Sequence, residues 1–227
     1  MEYLPLGDLR AYLARQSQPW IPEVETKQII SQVLEGLKFM HAEGFAHADL
    51  KPANILIKSH APDGWWVKLS DLGLSRRIEA TQGSVGVQGT EGFIAPELYG
   101  FQQSEFKMSE DGQGTRREFC YSADVWATGE TAFQLITGKD TFQNIAMLAR
   151  YARGECEFPA SVLEQSPCNP SSDLVGFVTL LMLADPSQRP TASMASDHPW
   201  IAELKRRFSM GTEHVISFVS RYLRRRV

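Results

Sequence analysis

The chain of 227 residues has only three cysteines, Cys120, Cys156 and Cys168. An odd count without a C-x-x-C pair excludes a disulfide framework and a thiolate metal cage, and leaves the three as reduced packing residues. Long apolar runs are also missing. The longest, residues 174–184, carries Gly176 inside it and falls short of the roughly 18 to 20 residues that cross a bilayer. The start of the sequence has Glu2 and Asp8 where a signal or transit peptide would have basic residues and an apolar run, so the expected location is cytoplasmic or nuclear. Positive charge is in deficit, with 23 Lys and Arg against 27 Asp and Glu, a net charge of −4. Such an acidic body disfavours nucleic acid as a partner. Basic character is local: residues 203–227 hold seven Lys or Arg against Glu203 and Glu213, net +5, which leaves −9 for the rest.

What is present suffices for one good core or two small ones, since 43% of the residues are apolar. Asp8 can cap a short helix in which Leu9 and Leu13 share a face. A second helix begins near Pro22, with Ile30, Val33, Leu34 and Leu37 at helical spacing, Met40 and His41 continuing the stripe, and Gly44 as a left-handed stop. Ile55 to Ile57 and Trp65 to Leu69 read as strands of a small hairpin turning at Pro62, Asp63 and Gly64. The polar stretch 100–117 reads as an exposed insertion, with structure resuming at about Tyr121. From Ala123 to Thr137 apolar residues fall on several faces, which predicts a central helix buried nearly all round. Further helices fit Asn144 to Arg153, Leu174 to Leu183 and, amphipathically, Glu213 to Arg225. The expected fold is mainly α with one β hairpin. His41, His60, His198 and His214 lack ligand spacing, so no zinc is expected, and neither a G-x-S-x-G nor a Cys/His nucleophile pattern occurs.

The chemistry concentrates in His47, Ala48, Asp49, Leu50, Lys51, Pro52, Ala53 and Asn54, followed by the apolar Ile55, Leu56 and Ile57. Downstream, in order, stand Asp71, Leu72 and Gly73; Gly89, Thr90 and Phe93; Ala95, Pro96 and Glu97; Asp124, Val125, Trp126 and Gly129; and Arg189. In this ordered set the chain resembles the protein kinases of the serine/threonine type, from Met1 to about Ile201. The resemblance implies a kinase C-terminal lobe with the small β hairpin at the catalytic cleft, covering 1–201, and a basic amphipathic helix over 202–227. It implies Asp49 as the base, Lys51 as the neutraliser of phosphoryl charge, Thr90 as the hydroxyl tying these two together, and Asn54 and Asp71 as magnesium ligands. Gly73 would let the backbone turn after Asp71. It further implies ATP held by the backbone of Glu2 and Leu4, by Asp8 at the ribose and by Leu56, and a protein substrate with a Ser or Thr acceptor. Asp8 is equally suited to capping the helix, and both roles can hold. Asp124 would hold the catalytic loop from below, and Glu97 and Arg189 would form a buried pair.

Three departures shape the expectation. No G-x-G-x-x-G, strand lysine or partner glutamate precedes the stretch Met1 to Leu4, and Gly112, Gln113 and Gly114 lack the third glycine. The chain is therefore expected to be a kinase large lobe without its small lobe, weak or inactive alone. Ala48 stands where many kinases carry an arginine, so phosphorylation of Thr81, Ser84 or Thr90 is not expected to order the loop by that contact. Leu72 replaces the usual phenylalanine, an apolar exchange expected to keep packing below His47. Two other readings stay open: a non-catalytic kinase-like interaction module, and a membrane-surface binder acting through the tail. Cations in a last helical turn suit the helix dipole without lipid, so no membrane partner is expected.

Overall fold

The computed structural model describes residues 4–73, 75–77, 89–101 and 114–202. The basic tail with the amphipathic helix expected there, Glu2, Thr81 and Ser84 lie outside them, as does most of the 100–117 stretch.

Helix α1, Leu9–Leu13, starts where the Asp8 carboxylate accepts from the Ala11 N–H at 2.8 Å, the expected cap. Helix α2, Glu23–Ala42, has Pro22 at its cap and Glu23 and Glu25 in its first turn, which complement the helix dipole. Its stripe of Ile29, Ile30, Val33, Leu34, Leu37 and Met40 is fully buried. Burial of each such side chain contributes about 1.5 to 3 kcal/mol, so α2 is anchored by packing more than by propensity. The chain leaves it through Gly44 at φ 84°.

Strand β1, Phe45–Ala46, precedes residues 47–54, and β2, Ile55–Ser59, and β3, Trp66–Leu69, form the hairpin behind them. Ile55 pairs with Leu69 and Leu56 with Lys68 in antiparallel register. A two-residue strand β4, Arg76–Arg77, returns antiparallel to β1, so the segment carrying Asp71 is closed into a loop facing His47.

Helix α3, Gly114–Thr137, is the central element, packed against α2 and the later helices α5, Ala160–Glu164, and α6, Ser172–Leu181. Val125, Trp126, Ala127, Ala132, Phe133, Leu135 and Ile136 are all buried, as their distribution predicts. The helix begins at Gly114, well before Tyr121: the sequence reading of this stretch as loop is corrected, because a polar first turn can propagate from a helix whose body is fixed by packing. Helix α4, Ile145–Ala152, is capped by Asn144, and α7, Ala192–Ser196, by Thr191. Trp200 closes the lower core by donating its indole N–H to Glu23 at 2.7 Å. The three cysteines are partly buried and form no disulfide. Among the described residues no helix is long and apolar enough to cross a membrane.

Candidate active site

The segment 47–54 is shaped from beneath by Asp124 on α3. One carboxylate oxygen accepts from the His47 N–H at 2.8 Å and the other from the Ala48 N–H at 2.9 Å. Ala48 sits at φ 67°, a left-handed conformation that costs a residue with a β-carbon roughly 1 to 2 kcal/mol. Two hydrogen bonds to a buried carboxylate, each stronger than a neutral one, offset that cost. His41, a mostly buried histidine of the α2 stripe, has a structural task besides: it donates its Nε2–H to Asp124 at 2.9 Å, a third bond on the same carboxylate. The available signal was a polar residue on the core-facing stripe of α2.

His47 is fully buried. Its Nε2 faces the Ser70 carbonyl at 3.1 Å and its Nδ1 accepts from the Asp49 N–H at 3.4 Å, so a neutral ring satisfies both. Burial pushes the imidazole below its ordinary pKa, against the opposing pull of Asp124 and the Ser70 carbonyl. The ring thus orients the backbone of Asp49.

Asp49 is the focus of the side chains the sequence singled out. One of its oxygens accepts from Lys51 Nζ at 2.7 Å and from Asn54 Nδ2 at 3.1 Å; the other accepts from the Thr90 hydroxyl at 2.8 Å. Lys51 Nζ also donates to Thr90 Oγ1. Burial raises the Asp49 pKa, but the bonds from Lys51, Thr90 and Asn54 together outweigh it and hold the carboxyl below its ordinary value. At neutral pH it is ionised and able to accept a proton.

Asn54 ends a 3-10 turn, Pro52–Asn54, entered through Pro52. Its amide nitrogen also donates to the Asp49 carbonyl at 2.8 Å, and its amide oxygen accepts no hydrogen bond among the described residues. The Asn54 carbonyl accepts from the Ser70 N–H at 2.9 Å, which puts Asp71 one residue beyond the pairing that anchors Asn54. The Asp71 carboxylate is exposed. The chain turns at Leu72 and Gly73, and the left-handed residue beside that turn is Asp71, at φ 55°. Gly73 serves by its missing side chain, since a β-carbon there would lie 3.1 Å from Asp71 Oδ1. Leu72 is buried in the core below. An unused amide oxygen and an exposed carboxylate, at the end of one hairpin, fit magnesium, which takes hard oxygen ligands and keeps several positions for water and phosphate.

On the opposite side of the hairpin, Asp8 forms an isolated antiparallel bridge with Leu56, and the Ile57 N–H donates to the Gly7 carbonyl at 2.9 Å. Leu56 alternates with the buried Ile55 and Ile57 and so points away from the core. The Leu4 carbonyl accepts from the Gly7 N–H at 3.2 Å. Leu4, Asp8 and Leu56 therefore share one edge, while Glu2 lies outside the described residues. Beside Asp49 and Thr90 an open apolar cleft is walled by Leu50, Phe93, Ile94 and Leu98.

Below the cleft, Arg189 and Glu97 pair through two bonds of 2.7 and 2.8 Å, both nearly buried, with the guanidinium 4.9 Å above the Trp126 ring. Arg189 also donates to the Leu183 and Ala184 carbonyls, so its hydrogen-bonding capacity is largely filled.

Comparison with known proteins places the chain in a family. The family described as "Protein kinase domain" matches residues 1–201. The chain is 32% identical over 197 residues to the mouse (Mus musculus) phosphorylase b kinase gamma catalytic chain, liver/testis isoform, covering 86% of this chain and 44% of that one. It is 33% identical over 183 residues to calcium/calmodulin-dependent protein kinase type 1 of Caenorhabditis elegans, covering 79% and 47%. The solved structure of the Rad53 kinase domain and SCD2 superposes with a TM-score of 0.67 at 27% identity, covering 88% of this chain and 65% of that one. The chain spans less than half the length of these two curated relatives. By sequence and by fold, it belongs to the protein kinase domain family.

Proposed function

We propose that the chain carries the catalytic face of a protein serine/threonine kinase, transferring the γ-phosphoryl group of ATP to a Ser or Thr hydroxyl of a protein. The observation that carries this reading is the ionised Asp49 held by Lys51, Thr90 and Asn54 beside an open cleft. The acceptor hydroxyl gives its proton to Asp49 as its oxygen bonds to phosphorus and the bond to the departing ADP breaks. Lys51 balances charge on the transferring group, and Thr90 fixes the angle between Lys51 and Asp49. Asn54 and Asp71 would hold magnesium, which supplies charge neutralisation on the phosphate oxygens. The edge formed by Leu4, Asp8 and Leu56, with the Glu2 backbone, would take the nucleoside.

We read residues 1–201 as the large lobe, with the basic tail as a separate element. No glycine-rich phosphate loop occurs within these 227 residues. Positioning of reactants supplies about 7 to 11 kcal/mol of a barrier, more than a general base alone, so these residues by themselves would transfer phosphate slowly. The test is transfer of labelled γ-phosphate from magnesium-ATP to a mixture of unfolded proteins, followed by phosphoamino-acid analysis. Label on Ser and Thr, reduced about 10² to 10⁴-fold by Asp49→Asn, is the expected result. Transfer indifferent to Asp49→Asn would favour the non-catalytic interaction module instead.

A further inference from the structure

Glu130 is a carboxylate in the middle of the central helix, 1% exposed, that the proposed phosphoryl transfer does not use. Its Oε1 accepts from Gln134 Nε2 at 2.9 Å and from the Thr141 N–H at 3.2 Å. The same Gln134 nitrogen donates to Asp140 Oδ1 at 2.9 Å. One neutral amide therefore bridges two carboxylates, one inside the helix packing and one on the loop that follows it. That loop runs directly into the Asn144 cap of α4.

We propose that Glu130, Gln134 and Asp140 form a proton-sensitive latch between α3 and the loop 138–144, most stable with Glu130 protonated: once ionised, Glu130 is a buried carboxylate beside Asp140, a cost that the bonds from Gln134 and Thr141 reduce without removing. Among the described residues no cation pairs with Glu130. From the loop, Asp140 acts on it with like charge, and Thr141 offers its N–H. From α6, Leu181 and Met182 press on the neighbouring Gly129, and Met182 takes the Thr141 hydroxyl on its sulfur and the Tyr151 hydroxyl of α4 on its carbonyl. Tyr151 is itself buried, with its pKa raised. Arg189, over the Trp126 ring one turn before Glu130, is already paired with Glu97. The buried face of α2 contributes apolar residues with Thr26 and Ser31. Burial, opposed by the bonds from Thr141 and Gln134, pushes the Glu130 carboxyl up to about 7.

A folded-state pKa above the unfolded one makes the group's contribution fullest below about 4.5 and lost as pH rises through about 7. The test is the folding equilibrium of the 227-residue chain by denaturant titration from pH 5 to 8.5, for wild type and Glu130→Gln. Across that range the wild-type constant should fall relative to the variant by on the order of 10²-fold. Parallel profiles overturn the proposal. In case the variant does not fold, carboxyl infrared or carbon resonances of glutamate-labelled wild type give a direct reading: one glutamate titrating near neutrality supports the latch, and all titrating between about 4 and 5 overturn it.

Discussion

The Asp124 carboxylate serves three donors from two different segments, and its two oxygens are not interchangeable in that role. The His47 and Ala48 amides use opposite oxygens, so an isosteric amide has an acceptor for only one of them. His41 can switch tautomer to accommodate such a carboxamide, whereas a backbone N–H cannot. Asp124→Asn should therefore strand one buried amide and cost about 1 to 3 kcal/mol. Hydrogen exchange should locate the loss, with the His47 and Ala48 amides exchanging faster while those of α6 keep their protection. His47 makes a different prediction at the same scale. Protonation of its ring would set Nδ1–H against the Asp49 N–H, and its pKa is held below the ordinary value. For a histidine whose pKa falls on folding, the stabilisation is complete above about pH 6.5 and is lost as pH drops toward the folded-state value. Denaturant titrations at pH 7.5 and 5.5 should show wild type losing more stability than His47→Gln. This slope is opposite in sign to that of Glu130, so the two groups are separated by variants and not by the wild-type profile alone.

At the scale of elements, α3 decides what can change. A β-carbon on Gly129 would lie 2.6 Å from Met182 Cγ and 3.0 Å from Leu181 Cβ, so α3 and α6 touch at that residue without a spacer. Gly129→Ala gains helix propensity of about 1 kcal/mol, but overpacking costs typically 1 to 3 kcal/mol. A net loss in thermal midpoint is expected, and a gain would show that α6 can withdraw. The Glu97 to Arg189 pair ties the segment after Thr90 to the end of α6. Glu97→Ala leaves a guanidinium buried over Trp126 and should destabilise by about 3 to 5 kcal/mol in equilibrium unfolding, without a change in the pH dependence assigned to His47.

These elements also show which parts of the molecule the sequence makes legible. Asp49, Lys51 and Asn54 are close in the chain and Thr90 follows them in the kinase order, so the resemblance singles them out from the sequence, and their proposed roles rest on it. The stripe of α2 and the all-round burial of α3 are likewise visible as periodicity. Helices α5 and α7 have five residues each, too few for a period to register, and are set by neighbours and by the Thr191 cap. Strands β1 and β4 have two residues each and exist because their ends are brought together. His41 and Glu130 were missed for another reason. A histidine's meaning here depends on a carboxylate 83 residues away, and a lone glutamate in an apolar helix acquires its environment only when α6 and the loop after α3 close over it.

For the whole molecule, the claim on which the rest depends is that Asn54 and Asp71, on the two strand ends of one hairpin, share a metal beside the base Asp49. The most direct measurement is nuclear magnetic resonance of the labelled chain titrated with manganese and ATP, the paramagnetic ion standing in for magnesium. The account predicts the strongest broadening at the amides of Asn54 and Asp71, reaching Asp49, and its disappearance in Asp71→Asn. Broadening centred on another part of the chain, or unaltered by Asp71→Asn, would contradict it.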